Sequence, residues 1–171
     1  MKEVVWVFGV SASGKATLIN SLVSNKLAKL IKRFGWQNKK IIACDESLEL
    51  IGGELDGLRK KILDTTPKLL DKSDIVLIKW QTVDSIANRP QRLKKLLPEA
   101  RHWIIELRVG IDELVGRLPK KELWTNYGRE KDLYDVEFKV VSEKLSELSD
   151  EFEIISLNSS SSGSYELIER A

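Results

Sequence analysis

The chain has a single cysteine and a single histidine among its 171 residues. With Cys44 alone, an intrachain disulfide is excluded, and a reducing compartment, the cytoplasm, is the expected location. With His102 alone, a multi-histidine metal site and histidine-based catalysis are not expected, and no ligand set for zinc stands in the sequence. A dominant charge is missing as well. The 28 Lys and Arg residues face 26 Asp and Glu, and a formal charge of +2 gives no global field toward nucleic acid or a membrane. Long apolar runs are also absent. The stretch Val4 to Phe8 is stopped by Gly9, far short of the roughly 20 residues a membrane span needs, and a secretory signal is not expected.

What is present describes a folded protein. At 42% hydrophobic and 32% charged residues, the chain has enough apolar groups to offset the entropy of ordering. Its length fits one domain over residues 1–171, burying roughly 70% of the surface of the unfolded chain. A monomer or small oligomer is expected.

Apolar runs at Val4 to Phe8, Ile41 to Cys44, Ile75 to Ile78, Trp103 to Val109 and Phe152 to Leu157 read as five strands. Continuous runs of this kind suit strands covered on both faces. Between them lie helical patterns. One runs from Leu18 to about Gly35. A second spans Ser47 to Leu70, broken at Gly52-Gly53 and at Thr66-Pro67. A third covers Val83 to Leu97, interrupted at Pro90. Further helices are expected at Ile111 to Leu118, at Leu133 to Leu148, and in a short turn around Tyr165 to Glu169. This alternation predicts an α/β three-layer sandwich with a five-stranded parallel sheet, whose ligands sit outside the carboxyl ends of the strands. Gly9, Asp45, Lys79 and Gly110 fall at such ends.

The first of these ends carries a motif. Gly9-Val10-Ser11-Ala12-Ser13-Gly14-Lys15 matches G-x-x-x-x-G-K between a strand and a helix. Glycines and small residues there let backbone amides converge on a phosphate, the helix N-terminus adds a favourable dipole, and Lys15 adds a point charge. The loop, continued by Ala16 and Thr17, is therefore the expected nucleotide site. It departs from the usual pattern at Ala16, where a Ser or Thr hydroxyl ordinarily ligates Mg2+. Thr17 points about 100° away on a helix and does not replace that hydroxyl; the α-phosphate is its expected contact. The third strand ends in Lys79 rather than an acidic residue, and Asp84 comes five positions later. The metal ligands are thus left open, with Asp45 and Glu46 after the second strand as candidates.

On these residues the chain resembles the P-loop kinases of nucleotides and small metabolites, the group of adenylate, shikimate and gluconate kinases. The resemblance rests on the loop at 9–15, on Cys44-Asp45-Glu46 after a strand, and on Ile104-Ile-Glu-Leu-Arg-Val followed by Asp112-Glu-Leu-Val-Gly-Arg117. It implies a P-loop NTPase fold of the nucleotide kinase type, using ATP and Mg2+. It also implies a lid over about residues 119–132, with Arg117 flanking it and Lys120, Lys121, Arg129 and Lys131 in or beside it. Closure of such a lid brings cations onto the transferring phosphoryl group.

Other residues keep two readings. Asp45 is either an acceptor-side base or metal organiser, or a helix cap; Glu46 ranks behind it. Arg89, Arg92, Lys94, Lys95 and Arg101 read first as a solvated face, with Arg89 and Arg92 the positions suited to an acceptor's phosphate or carboxylate. Trp80, Gln81 and Trp124 are core or lid packing, or else line a pocket. The loop Asn158 to Gly163 is a surface turn or an adenine contact. The leading expectation is an ATP-dependent phosphotransferase acting on a hydroxyl or phosphate of a small metabolite, nucleoside or nucleotide. A catalytically weak nucleotide-binding module comes second, and a kinase of nucleic-acid 5′-hydroxyls ranks below both.

Overall fold

The structure is a computed structural model that describes residues 1–10, 13–48, 55–80, 89–110, 113–114, 130–159 and 164–168. Strand β1 spans Glu3–Phe8, and every one of its residues is buried. Helix α1 (Lys15–Val23) and helix α2 (Ala28–Arg33) follow, then β2 (Ile41–Ala43), α3 (Asp45–Leu48), α4 (Leu55–Asp71) and β3 (Ile75–Lys79). The remainder is α5 (Arg89–Leu96), β4 (Arg101–Arg108), α6 (Glu130–Leu148), β5 (Glu153–Ser159) and β6 (Tyr165–Ile168).

The strands form one six-stranded sheet in the order β2-β3-β1-β4-β5-β6. The first five are parallel, and β6 pairs antiparallel with β5 from Ser159↔Tyr165 to Ser156↔Ile168. Because β1 sits between β3 and β4, the chain leaves it toward one side and later returns to the other. That reversal opens a crevice beyond the carboxyl end of β1, and the G-x-x-x-x-G-K loop begins there.

The period-two geometry of a strand explains the continuous apolar runs. Val4, Trp6 and Phe8 pack with Ile62 and Leu70 of α4, Leu93 of α5 and Val141 and Leu145 of α6. Val5 and Val7 face the opposite layer, with Leu18, Ile19 and Leu22 of α1 and Leu30 and Ile31 of α2. Both faces are covered by helices, as a parallel sheet requires. No described helix is long and apolar enough to cross a membrane.

Three expectations are corrected. The sheet has six strands, not five: the segment expected to be a short helix at Tyr165 to Glu169 is strand β6 over its described part. Tyr165 and Leu167 pack on the core while Glu166 is exposed, the alternation of a strand, which four residues are too few to reveal by pattern. The break expected at Thr66-Pro67 does not occur. Helix α4 runs through Pro67, and the Thr66 hydroxyl donates to the Ile62 carbonyl at 2.7 Å. The break expected at Gly52-Gly53 lies outside the described residues. The first helical stripe is two helices rather than one. Asn25 adopts φ 58°, and the amides of Asn25 and Lys26 donate to the carbonyls of Leu22 (3.2 Å) and Ser21 (2.9 Å), a Schellman turn that ends α1. Gly35, at φ 70°, ends α2 the same way, with Trp36 N–H donating to Ile31 O at 2.9 Å.

Pro90 sits in the first turn of α5, where its missing N–H costs no helical bond. Residues 81–88, including Gln81 and Asp84, lie outside the description. At the amino ends of the strands a buried carboxylate organises the base of the sheet. Glu3 is 3% exposed, and its oxygens accept from Trp36 Nε1 (3.3 Å), Lys39 Nζ (3.2 Å), Arg101 (3.4 Å) and Trp103 Nε1 (2.7 Å).

Candidate phosphate-loop site

The end of β1 and the start of α1 are joined by a loop whose shape depends on two glycines. A Cβ on Gly9 would lie 2.6 Å from the Leu107 carbonyl oxygen of β4 and 3.0 Å from Ser13 Oγ. No rotamer relieves a clash with backbone, so only glycine lets the loop leave the sheet here. Gly14 has φ 93° and ψ 26°, the left-handed conformation, immediately before α1. Gly9→Ala is expected to cost about 1–3 kcal/mol by overpacking. A urea titration monitored by tryptophan fluorescence checks this; an unchanged midpoint would contradict the close approach.

Lys15 is only 4% exposed. Its ammonium donates to the carbonyls of Gly9 at 2.9 Å and Val10 at 2.8 Å, so the charge is held against the loop's own backbone. The Ser13 amide donates to Val10 O at 3.2 Å, closing a turn. Ser13 Oγ is fully buried and has no hydrogen-bond partner among the described residues. Val10 is buried, Ala16 half-buried and Thr17 exposed. Ser11 and Ala12 lie outside the description.

The neighbouring strand ends are fastened together by a residue the sequence did not single out. Ser47 Oγ donates to Cys44 O at 2.6 Å and accepts from the Lys79 amide at 3.0 Å. Trp80 N–H donates to Val7 O at 2.9 Å, extending the ladder beyond β3. This ties the Asp45 turn to β3 and β3 to β1. A serine three residues after a strand was the only local signal, and its partner at Lys79 is distant in sequence.

The structure separates Asp45 from Glu46. Asp45 opens α3 and is exposed. Glu46 turns back, accepting from Thr65 Oγ1 at 3.4 Å and Cys44 Sγ at 3.5 Å. Burial, reinforced by the Glu46 charge, pushes the Cys44 thiol up from 9.0 to about 12. Cys44 should therefore resist a thiol-specific reagent at pH 8 in the native state and react on unfolding. The folded protein holds the neutral thiol, so this contribution to stability is intact below about pH 9 and lost as pH rises toward 12.

Trp80 is fully buried, its ring tilted against Phe8 at 4.3 Å and edge-on to Trp6 at 5.8 Å between centroids, so it belongs to the core rather than to a pocket. Arg89 is 2% exposed at the start of α5, unlike the exposed Arg92, so these two arginines do not share a solvated face. Lys94 reaches Glu151 O at 2.6 Å and the Phe152 ring. His102 is a core residue whose Nε2 lies 2.8 Å from the Leu97 carbonyl. Burial lowers its pKa from 6.5. Arg117, Lys120, Lys121, Trp124 and Arg129 lie outside the described residues, as does almost all of the segment expected to form a lid. The loop residues Ser160 to Gly163 are outside as well.

The residues present do not fit the usual magnesium arrangement. Ala16 offers a methyl group and Lys79 a cation at the two positions that ordinarily supply a hydroxyl and a carboxylate. Among the described residues no three His, Cys, Asp or Glu gather in a metal-binding group.

A central strand, a glycine-shaped loop with an inward lysine, and a helix behind it define an α/β protein of the phosphate-loop architecture. No family model and no curated protein matches the chain. Among solved structures it is similar to shikimate kinase from Bacteroides thetaiotaomicron, with 14% identity over 91% of this chain and 85% of that one, at a TM-score of 0.50. It is also similar to the YorR protein from Bacillus subtilis, solved with phosphorylated GDP, with 15% identity over 91% and 85% of the two chains and a TM-score of 0.51. At these identities the likeness shows the fold, which is that of the P-loop kinases.

Proposed function

We propose that the protein is an ATP-dependent phosphotransferase that moves the γ-phosphoryl group to a hydroxyl or phosphate of a small metabolite, nucleoside or nucleotide. The observation that carries this reading is the Lys15 ammonium, held by Gly9 O and Val10 O in a loop at the carboxyl end of the central strand. Residues 9–17 take the phosphates of ATP. Lys15 exchanges its two carbonyl contacts for phosphate oxygens, and the buried Ser13 hydroxyl gains a partner it lacks among the described residues. In this reading Asp45, exposed at the start of α3 just after β2, takes the acceptor side.

In this reading the chain is one domain, and the segment 119–132 closes over the site with Arg117 and Arg129. Their cations offset the charge that spreads over the phosphoryl oxygens, and closure excludes water. Arg89 and Arg92 remain acceptor-side candidates. Mg2+ would ordinarily supply charge neutralisation of the phosphates in such chemistry. Ala16 and Lys79 stand where its protein contacts are expected. The test is ADP release measured across a panel of sugars, hydroxy acids, nucleosides and nucleotides. Turnover of about 1–100 per second with one acceptor supports the reading. Nucleotide binding with no acceptor turned over contradicts it.

Ala16 favours a second reading, a nucleotide-binding module with little catalysis. Ala16→Ser then separates the two. If the site is degenerate, restoring the hydroxyl raises magnesium-dependent ATP affinity about tenfold or more, the worth of about 1.4 kcal/mol. An unchanged affinity would mean that the metal is organised without this position.

A further inference from the structure

Helix α2 and its flanks carry a charge distribution that the phosphate site does not use. Residues 4–44 hold seven Lys and Arg and no Asp or Glu, in a chain whose formal charge is only +2. Lys15 belongs to the loop, and Lys39 pairs with Glu3. Lys26, Lys29, Lys32, Arg33 and Lys40 are exposed, and none forms an ion pair among the described residues. Such a concentration of one sign costs self-repulsion that an opposite charge relieves.

Three of these cations rim a groove of about 490 Å³ between the α1–α2 corner and the end of the sheet. Its apolar lining includes Leu27 and Leu30 on one wall and Tyr165 and Leu167 on the other, while Lys26, Lys29 and Arg33 stand around it. The second wall is β6, the outermost strand, which pairs with no strand other than β5 among the described residues. An edge strand beside side-chain pockets is the arrangement that accepts an added strand.

We propose that this groove binds an extended acidic segment of a partner protein along β6. Residues on one face of such a segment recur every second position, about 6.6 Å apart. Two apolar side chains at that spacing enter the groove, and a carboxylate beyond each end meets the lysines and Arg33. A nucleic-acid strand would satisfy the cations but leave the leucine-lined wall unused. A second copy of this chain would set the same cations against each other. The charge and the apolar lining together therefore favour the acidic peptide, and this proposal stands independently of the nucleotide reading.

The test uses the full chain and a fluorescein-labelled peptide, Thr-Glu-Thr-Leu-Thr-Leu-Thr-Glu-Thr, followed by anisotropy. Binding is expected to weaken with added salt and to fall about tenfold or more in the double variant Lys29→Glu with Arg33→Glu, both exposed positions. The peptide with lysine in place of glutamate should recover binding to that variant. Amide hydrogen exchange at residues 165–168 should slow when the peptide binds. Absence of binding, or equal affinity of the double variant for the acidic peptide, overturns the proposal. So does displacement of the peptide by a single-stranded thymidine oligonucleotide at equal concentration, or a salt-resistant dimer formed through β6.

Discussion

Lys15→Met should reduce phosphoryl transfer by about 10²–10³-fold while leaving the fold intact, the scale expected when one preorganised group is removed from a developing charge. Methionine matches the length of the aliphatic stem, so packing against the loop is kept and the ammonium alone is lost. The structure adds a second consequence. The ammonium donates to Gly9 O and Val10 O, so its removal leaves two carbonyls facing inward without that donor. ATP affinity should fall along with turnover. Circular dichroism and ADP-release kinetics on the same preparation separate the two effects. A variant that folds and retains turnover within threefold of the parent would remove Lys15 from the chemistry.

Glu3→Ala should be the most destabilising single change, by about 3–5 kcal/mol, with thermal unfolding lowered by roughly 10 °C. The carboxylate is 3% exposed and accepts from two indole N–H groups, a lysine and an arginine, drawn from β1's neighbours and from the turn before β2. Removing it leaves the donors of Trp36 and Trp103 buried without an acceptor, which costs more than the bonds themselves contribute. Glu3→Gln offers a single acceptor oxygen and no charge, and should recover only part of the loss. Differential scanning fluorimetry ranks the three proteins. A drop below about 1 kcal/mol for Glu3→Ala would contradict the organising role given to this residue.

These two residues show where sequence reading succeeds and where it stops. The strand, loop and helix around Lys15 were legible because they are local: strand, glycines, lysine and helix lie within consecutive residues, and each is dictated by short-range sterics. The five parallel strands were legible because a strand covered on both faces is apolar over most of its length. Glu3 was not, because its meaning lies in Trp36, Lys39, Arg101 and Trp103, brought together only by the sheet register. At the end of an apolar run, a glutamate looks like a boundary. Ser47 was hidden for the same reason, since its partner is the amide of Lys79. Strand β6 was missed because four residues carry too little periodicity. Pro67 was read as a breaker although α4 continues through it, tertiary packing of Ile62 and Leu70 outweighing a missing backbone donor. Trp80, one residue past a strand, stood at a ligand-facing position by count but turns into the core against Phe8 and Trp6.

The central claim, that the loop at residues 9–17 receives the phosphates of ATP, is tested most directly by calorimetric titration of ATP into the parent protein and into Lys15→Met, with and without magnesium. The account predicts one-to-one binding by the parent and at least a tenfold weaker complex for the variant. Failure of the parent to bind ATP, or equal binding by the two proteins, would contradict it.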